Sequence, residues 1–223
     1  MSERVRLPVL YRFGHWFAHA FFRVASRLDV RGLEHIPRTG PLIVAANHMH
    51  ALDPPVVFAV VPRRQTVFAA NKWRGKFAGW IMQVFANAIF VERGEPDRQA
   101  IAKALEVVRQ GGALGVAPEG TRSRTGGLIE GKPGTVYLAS RSGAPILPVV
   151  VWGQEKAMHE WARLRRPEIH VRIAEPMRLP PGAERARSAD LATYTDQLMM
   201  TLARMLPEDY RGVYASRIER QDG

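Results

Sequence analysis

Leu42-Ile43-Val44-Ala45-Ala46 is an uninterrupted apolar run, and Asn47-His48 follows it directly. Such a run predicts a buried strand, because a strand covered on both faces shows no alternation of apolar and polar residues. Asp53-Pro54-Pro55 then opens a predicted helix over Val56–Val61, with the Asp53 carboxylate as its N-cap and a proline at the first helical position. A buried strand that passes within a few residues into a helix is typical of α/β proteins.

Strands and helices alternate along the rest of the chain in the same way. Further strands are predicted over residues 66–70, 88–91, 114–117, 146–152 and 169–173. Helices are predicted over residues 8–28, 76–85, 97–110, 133–141 and 190–205. This alternation within 223 residues predicts a single α/β domain, in which helices flank a largely parallel central sheet.

The composition narrows the classes of function. Lys and Arg number 32 against 21 Asp and Glu, a net charge of +11 that predicts a nucleic acid, an anionic membrane or a phosphate-rich small molecule as partner. The absence of cysteine excludes disulfide scaffolds, cysteine zinc sites and thiol nucleophiles. The longest stretch free of Asp, Glu, Lys and Arg is Phe77–Val91, which is shorter than the roughly 18 residues that span a bilayer. We therefore expect no transmembrane helix. Export is not expected either, because arginines are spread through the N-terminus and no small-residue cleavage site follows its apolar part.

The predicted helix Pro8–Leu28 is amphipathic. Its basic side chains fall within an arc of roughly 120°: Arg12, His15, His19, Arg23 and Arg27. Aromatic side chains cover much of the remaining surface: Phe13, Phe17, Phe21 and Phe22. Two interpretations stay open, a helix in a membrane interface and a helix docked on the core, and the basic stripe favours the first.

His48 and Asp53 form the first candidate site, because open α/β sheets place their sites where strands end. A carboxylate five residues after an imidazole can turn back, fix its tautomer and support its charge while the imidazole removes a proton. The chain has no cysteine and no Gly-x-Ser-x-Gly elbow, so the nucleophile would be a substrate hydroxyl. Two alternatives remain: Asp53 is only a helix cap, or His48, His50 and Asp53 bind a metal.

A second candidate site follows the predicted strand at 114–117. Glu119-Gly120-Thr121-Arg122-Ser123 combines a glycine turn, two hydroxyls and a guanidinium, which together suit a phosphate. Arg93, at the end of Phe90-Val91-Glu92-Arg93, is a further candidate anion ligand. The alternative for both segments is an ordinary solvated turn.

Four segments in order resemble the four motifs of the glycerolipid acyltransferases, in particular their small bacterial 1-acyl-sn-glycerol-3-phosphate acyltransferase branch. These segments are Asn47-His48-x4-Asp53, Ala88–Arg93, Pro118–Ser123 and Ala144–Val149. The resemblance extends from about Leu33 to Val151. It implies transfer of a fatty acyl group from acyl-CoA or acyl-acyl-carrier protein to the free hydroxyl of lysophosphatidic acid, giving phosphatidic acid.

The resemblance also implies roles for individual residues. His48 would be the general base and Asp53 its orienting carboxylate. The acceptor phosphate would lie against Lys72, Arg93, Glu119, Gly120, Thr121 and Arg122. Because Glu119 is itself an anion, we expect it to position Arg122 or the loop. No metal and no cofactor beyond the acyl thioester is implied.

The implied setting is a membrane. We expect residues 1–31 to form an amphipathic membrane-interface helix and residues 32–223 the catalytic domain, bound peripherally or monotopically to the cytoplasmic face of the cell membrane. Its partners would be the lysophospholipid, the acyl thioester, the anionic lipid surface and an acyl carrier protein, without nucleic acid. Basic residues between 63 and 76 are expected to meet lipid headgroups or coenzyme A phosphates: Arg63, Arg64, Lys72, Arg74 and Lys76. Phe77–Phe85 would line an acyl chain or form a core helix.

Two alternative functions remain open. His50, Ala117 and Glu92 depart from the family pattern, which leaves room for another lysophospholipid or a glycolipid as acceptor. A basic nucleic-acid-binding protein would also explain the charge. The sequence contains no helix-turn-helix, RRM or zinc signature, and that function would leave the His48–Asp53 and Glu119–Arg122 pairs unexplained.

Overall fold

The structure is a computed structural model that describes residues 9–92 and 97–222. A seven-stranded sheet forms its centre, in the spatial order β1-β7-β6-β2-β5-β3-β4. The strands are β1 (Arg27–Arg31), β2 (Leu42–Ala46), β3 (Gln65–Ala70), β4 (Ile89–Val91), β5 (Ala113–Val116), β6 (Ile146–Trp152) and β7 (Glu168–Ile173). Every neighbouring pair is parallel except β6 with β7. The predicted fold class, an α/β domain with a largely parallel sheet, is confirmed.

Helices cover both faces of this sheet. They are α1 (Val9–Ala25), α2 (Asp53–Val60), α3 (Phe77–Ala86), α4 (Arg98–Arg109), α5 (Gly134–Ser142), α6 (Ala157–Ala162), α7 (Ser188–Met205) and α8 (Ala215–Asp222). The short helices α6 and α8 were not predicted. None of the helices in these described stretches is long and apolar enough to cross a bilayer.

The apolar run Leu42–Ala46 occupies the middle of the sheet as β2 and is buried on both faces. Leu42 and Val44 pack with α1 and α2 on one face. Ile43 and Ala45 pack with α4, α5 and α7 on the other. This two-sided burial is the reason that the strand has no polar alternation.

The predicted helix over residues 8–28 is wrong at its C-terminal end. The helix α1 ends at Ala25, and Arg27–Arg31 forms β1 in parallel register with β7. Leu28 and Val30 pack against this core cluster, whereas Arg27, Asp29 and Arg31, which alternate with them, do not, and this is the period-two pattern of a strand. Arg27 happens to have the spacing of the basic stripe on the helix. The helical pattern therefore extended the predicted helix into the strand.

The basic stripe predicted for α1 is also only partly present. His15 and His19 face α2: the His15 ring packs on Phe58, and His19 Nδ1 lies 3.1 Å from the carbonyl oxygen of Ala59. Burial lowers the pKa of His15. Tyr11 and Phe22 complete this inward face. The helix thus docks on the core through a narrow face that includes both histidines, where His19 contacts a backbone carbonyl and His15 packs against an aromatic ring.

The apolar surface of α1 is turned away from the core. Its large side chains are between 43% and 81% exposed: Val9, Leu10, Phe13, Trp16, Phe17, Phe21 and Val24. The helix α3 has a similar surface, where Phe77, Trp80 and Ile81 are exposed and only Gly79 is buried. The interpretation of Phe77–Phe85 as a core helix is therefore wrong. The two helices touch, so their apolar surfaces lie on neighbouring elements.

Candidate active site

Three strand ends meet at one edge of the sheet. β2 ends before Asn47-His48, its neighbour β5 ends before the loop 117–133, and its other neighbour β6 ends at Trp152. Asn47 joins two of these ends, since its side-chain amide donates to the carbonyl oxygen of Val151 at 2.9 Å and its Oδ1 accepts from the Val151 N–H at 2.8 Å. The position of His48 is thereby fixed at the carboxyl edge of the central strands, where α/β proteins place their sites.

His48 and Asp53 are in contact. Nδ1 of His48 lies 3.1 Å from Oδ2 of Asp53, and the Asp53 side chain is almost fully buried while the imidazole is one-quarter exposed. Because the carboxylate oxygen can only accept, Nδ1 carries the hydrogen. Nε2 is then the unprotonated nitrogen, and it makes no hydrogen bond within the described residues. The pair has the arrangement of a base oriented by a carboxylate.

Asp53 does not cap its own helix. The helix α2 begins at Asp53 itself, with no side-chain hydrogen bond at its N-cap, so the predicted N-cap role is wrong. Oδ2 instead accepts the backbone N–H groups of Met49 at 2.6 Å and His50 at 2.7 Å. The carboxylate closes the turn that carries His48, which excludes the interpretation of Asp53 as an ordinary helix cap.

Gln154 completes the surroundings of Asp53 and was missed from the sequence. Its side-chain amide donates to Asp53 Oδ1 at 2.5 Å, and the residue is fully buried. Gly153 makes this possible: its φ of +87° turns the chain after β6, and a Cβ there would lie 2.2 Å from the carbonyl oxygen of Glu168. A buried glutamine 101 positions after an aspartate carries no local sequence signal.

Glu119 is fully buried and holds the His48 turn from the other side. Its Oε2 accepts the backbone N–H of His48 at 2.7 Å. The Ser123 N–H donates to the His48 carbonyl oxygen at 2.7 Å. The loop therefore makes hydrogen bonds to both the backbone N–H and the backbone carbonyl of His48. Burial raises the pKa of Glu119 to about 7, against the lowering effect of the hydrogen bond from His48. Glu119 therefore positions His48, where we had expected it to position Arg122 or its loop.

The loop after Glu119 presents donors to solvent. Gly120 has a φ of +68°, and its N–H donates to the carbonyl oxygen of Ala117 at 2.9 Å. Thr121 and Arg122 are exposed, and neither side chain has a hydrogen-bond or ion-pair partner in residues 9–92 or 97–222. The Ser123 hydroxyl, by contrast, donates to the carbonyl oxygen of Gly127 at 2.6 Å, so its predicted use as a phosphate donor is wrong.

Lys132 is a further cation at this loop. Its side chain lies over Gly120, and its backbone N–H donates to the carbonyl oxygen of Pro118 at 2.7 Å. Lys132 was not predicted as a site residue, because the eleven residues between Gly120 and Lys132 show no pattern that brings the two together. The loop thus gathers two basic side chains beside a glycine turn.

The remaining predicted phosphate ligands are less closely associated with this centre. Lys72 is exposed at the end of β3, with Nζ 5.2 Å from the ring centre of Trp73, and no described hydrogen bond joins it to the His48 cluster. Arg93 lies outside the described residues. His50 Nδ1 accepts the Leu52 N–H at 3.3 Å, and no group of three metal-ligating side chains occurs in the described part of the chain.

Two of the basic residues between 63 and 76 have structural roles. Arg63 is buried and donates to the carbonyl oxygens of Pro37, Gly40 and Gly111. Arg64 donates to the carbonyl oxygen of Val84. The prediction that both meet phosphates is wrong for this reason. The other three, Lys72, Arg74 and Lys76, remain exposed beside α3.

Comparison with known proteins agrees with this geometry. Residues 27–152 match the family model described as "Acyltransferase". The chain is 30% identical over 207 residues to the human 1-acyl-sn-glycerol-3-phosphate acyltransferase alpha, covering 87% of this chain and 70% of the relative. A 1-acyl-sn-glycerol-3-phosphate acyltransferase of Borreliella burgdorferi is 33% identical over 129 residues, which are 56% of this chain and 51% of that protein.

A solved structure has the same fold. It is the 1-acyl-sn-glycerophosphate (LPA) acyltransferase PlsC from Thermotoga maritima, with a TM-score of 0.66 and 26% sequence identity. The match covers 85% of this chain and 76% of that structure. The family match spans β1 to β6 and so includes His48, Asp53 and the loop from Glu119 to Lys132. This chain therefore belongs to the acyltransferase family.

Proposed function

We propose that this enzyme transfers a fatty acyl group from an acyl thioester to the free hydroxyl of 1-acyl-sn-glycerol 3-phosphate, giving phosphatidic acid. The observation that carries the proposal is His48, whose Nδ1 is bound to a buried carboxylate while Nε2 is left to accept a proton. The site provides this base without a serine or cysteine nucleophile of its own. A substrate hydroxyl is the group that such a base would activate.

The proposed reaction steps follow from which nitrogen of His48 is free to accept a proton. Nε2 of His48 removes the hydroxyl proton of the acceptor as its oxygen attacks the thioester carbonyl carbon. The C–S bond of the tetrahedral intermediate then breaks, and the thiolate takes the proton from His48. The hydrogen bond from Nδ1 to Asp53 stabilises the imidazolium between these two steps. Phosphatidic acid and a free thiol are the products, and the proposed steps use no cofactor beyond the thioester.

The acceptor phosphate is proposed to bind at the loop from Gly120 to Lys132. Arg122 has an unpaired planar guanidinium, and Lys132 adds a second positive charge beside the glycine turn. Lys72 is proposed as a further cation at a neighbouring strand end, because β3 ends at the same edge of the sheet as β2 and β5. Arg93, which lies outside the described residues, is proposed as another cation on the sequence resemblance alone. Glu119 and Gly120 shape this loop, and the exposed Thr121 hydroxyl is available to donate.

The acyl chains and the membrane are proposed to contact α1 and α3. Their exposed aromatic side chains suit the interface of a bilayer, where apolar side chains leave water while neighbouring cations meet anionic headgroups. Arg12 and Arg23 border the apolar surface of α1, and Lys72, Arg74 and Lys76 stand beside α3. An apolar-walled cavity of about 430 Å³, lined in part by Phe77, Trp80 and Phe90, is available to an acyl chain. We propose monotopic or peripheral attachment to the cytoplasmic membrane face.

The test is a direct identification of the product. The purified chain is supplied with a labelled acyl-CoA or acyl-acyl-carrier protein and a panel of acceptors: lysophosphatidic acid, other lysophospholipids, a monoacylglycerol and a glycolipid. We expect labelled phosphatidic acid to be the dominant product. Preferential labelling of another lipid would overturn the acceptor, and failure to label any lipid would overturn the function.

A further inference from the structure

A second cavity lies at the same sheet edge as His48, beside the last strand of the parallel core. Its volume is about 660 Å³, within the range of small-molecule sites. Its walls come from the end of β6 and the starts of β7 and β1, with Trp152, His170 and Tyr210 among its lining residues. Trp152 and Tyr210 pack with the α4, α5 and α7 side of the sheet, whereas α1 packs on the opposite side. The cavity is thus turned away from the apolar surface of α1.

This cavity is adjacent along the chain to a residue that contacts Asp53. Gly153 lines it, and the next residue, Gln154, donates to Asp53. β7 is separated from β2 only by β6, so the two strands lie about 10 Å apart. A ligand seated here is within reach of His48 through a flexible arm.

Cations dominate the lining. Arg27, Lys156, Arg165 and Arg166 face two carboxylates, Glu160 and Glu168. One carboxylate is already engaged, because Arg27 pairs with Glu168 at 3.2 Å. Lys156 and Arg165 have no ion-pair partner among the described residues. Two positive charges are therefore available to an anionic ligand.

The cavity also has an aromatic wall. The rings of Trp152 and His170 are stacked with their centres 4.9 Å apart, and the Arg172 guanidinium lies 5.1 Å from the Trp152 ring centre. Asp29 holds this arrangement, since it accepts hydrogen bonds from Arg172 at 2.5 Å and lies 3.3 Å from His170 Nδ1. Fixed π-surfaces beside unpaired cations suit a flat heteroaromatic base that carries phosphates.

We propose that this cavity binds the nucleotide end of an acyl-coenzyme A donor, with the adenine against the aromatic wall and the phosphates on Lys156 and Arg165. The pantetheine arm then passes Gly153 and brings the thioester to His48. A carrier protein would need a broad contact surface that is flat or convex. This site is instead concave, and its aromatic wall matches the size of a single heteroaromatic base. The inference rests on the proposed function, for which it names the donor.

The test compares two donors that carry the same acyl chain, acyl-CoA and the nucleotide-free acyl-pantetheine. Lys156→Glu/Arg165→Glu is expected to raise the KM for acyl-CoA about tenfold or more, as expected for two charge reversals at a phosphate contact. The kcat at saturating acyl-CoA and the kcat/KM for acyl-pantetheine stay within about twofold of the unaltered enzyme. Lys103→Glu/Arg220→Glu, an equal change of charge at exposed residues elsewhere, leaves both donors unaffected.

Calorimetry with adenosine 3′,5′-bisphosphate and the full chain measures the cavity without any turnover. Binding to the unaltered chain and to the Lys103/Arg220 control, with loss in the Lys156/Arg165 variant, supports the proposal. Equal binding to all three, or equal loss of activity with both donors, overturns it. Loss confined to acyl-acyl-carrier protein assigns the surface to a protein donor instead and also overturns it. If the unaltered enzyme acylates no acceptor while the bisphosphate still binds the cavity, the proposed function fails and the cavity assignment stands.

Discussion

Asp53 accepts hydrogen bonds from four groups, two backbone amides, the His48 ring and the Gln154 side chain. The first three come from its own turn, and the fourth comes from the segment that follows the end of β6. The carboxylate therefore links the local turn to the sheet. Because these groups surround the carboxylate with donors, it is held where it can accept from Nδ1 of His48 and orient the imidazole.

Replacing Gln154 tests this link. Gln154→Met keeps the side-chain length but removes the donor to Asp53 Oδ1, so the carboxylate is held less firmly. We expect kcat to fall about tenfold with little change in the KM of either substrate, because the residue acts through the base and touches no substrate. Steady-state kinetics at several pH values measure the split.

Thr135→Val is the matched control for Gln154→Met. Thr135 is equally buried, and its hydroxyl has no partner in the described residues. The control should retain kcat. A purely structural role for Gln154 would instead lower thermal stability and the fraction of active enzyme without altering the pH dependence of kcat.

Glu119 gives the fold a pH dependence of a defined sign. Its pKa is raised in the folded state to about 7, so between its ordinary value of 4.5 and 7 the folded chain binds more protons than the unfolded chain. The contribution of this carboxyl to stability is thus greatest at low pH and is lost as pH rises through 7. Glu119→Gln removes the titration but keeps an acceptor for the His48 N–H.

We therefore expect Glu119→Gln to gain stability relative to the unaltered chain as pH rises from 5 to 8, by an amount of the order of 2 kcal/mol. Denaturant unfolding at the two pH values gives this difference. A constant difference between the two proteins across that range would mean that Glu119 is ionised throughout and would contradict the assignment.

Arg122 should discriminate between acceptors. Its guanidinium is exposed and unpaired in the described structure, so Arg122→Gln is expected to leave the fold intact. A lost charged hydrogen bond costs roughly 1.5–3 kcal/mol, which predicts a loss of about tenfold to a hundredfold in kcat/KM for lysophosphatidic acid and little loss for a monoacylglycerol. Arg124→Gln, two positions away and also exposed, is the control. Equal losses on both acceptors would assign Arg122 to the chemistry or the fold.

Residues predicted from the sequence are those whose partners lie close in the chain. His48, Asp53, Gly120 and Arg122 follow strand ends and carry recognisable local patterns. The role of Glu119 was not predicted, since its hydrogen bond to His48 spans 71 positions. Contacts of this kind depend on which strand ends become neighbours, and a single sequence does not specify that.

At the scale of elements, α1 illustrates a limit of periodicity. The pattern of its residues predicted an amphipathic helix, and a helix is present from Val9 to Ala25. Periodicity does not tell which side packs on the protein. The core takes the narrow side with Tyr11 and Phe22, and most of the aromatic residues stay exposed.

The exposed side of α1 predicts the behaviour of surface variants. Phe13→Ser/Trp16→Ser/Phe17→Ser removes apolar side chains that are all more than half exposed, so thermal stability should change little. Binding to anionic vesicles should fall at least about tenfold, because each fully buried large apolar side chain contributes about 1.5–3 kcal/mol. Vesicle flotation measures this.

Exposed apolar residues elsewhere supply the control for α1. Met158→Ser/Leu164→Ser/Val213→Ser removes a comparable set of exposed side chains from other elements. If both triple variants lose vesicle binding equally, or neither does, α1 is not the membrane contact. Substitution is a cleaner test than deletion of the helix, because Phe22 and the following β1 belong to the core.

At the scale of the whole molecule, the sheet order explains why weak motifs combine into one site. β2 lies between β5 and β6, so the ends of three strands that are far apart in sequence meet around His48. Alternation of strands and helices was sufficient to predict the parallel sheet. That alternation could not predict that β7 is antiparallel or that β1 forms the edge of the sheet, because the order of these strands depends on packing across the whole chain.

The two sides of the sheet are proposed to meet different substrates. The side with α1 and α3 presents exposed aromatic residues to the lipid acceptor, and the cavity at Trp152 lies on the opposite side for the water-soluble donor. His48 stands between them at the shared edge. This arrangement makes the imidazole the point on which all of the proposed chemistry depends.

The most direct measurement is the rate of phosphatidic acid formation from lysophosphatidic acid and acyl-CoA by three proteins: the unaltered chain, His48→Ala and His50→Ala. General base catalysis contributes roughly 10²–10⁴-fold, so His48→Ala should lose at least about a hundredfold in kcat while remaining folded. His50, whose Nδ1 accepts only the Leu52 N–H, should tolerate alanine with far smaller loss. Equal losses in the two variants, or activity of the His48→Ala protein close to that of the unaltered chain, would contradict the account.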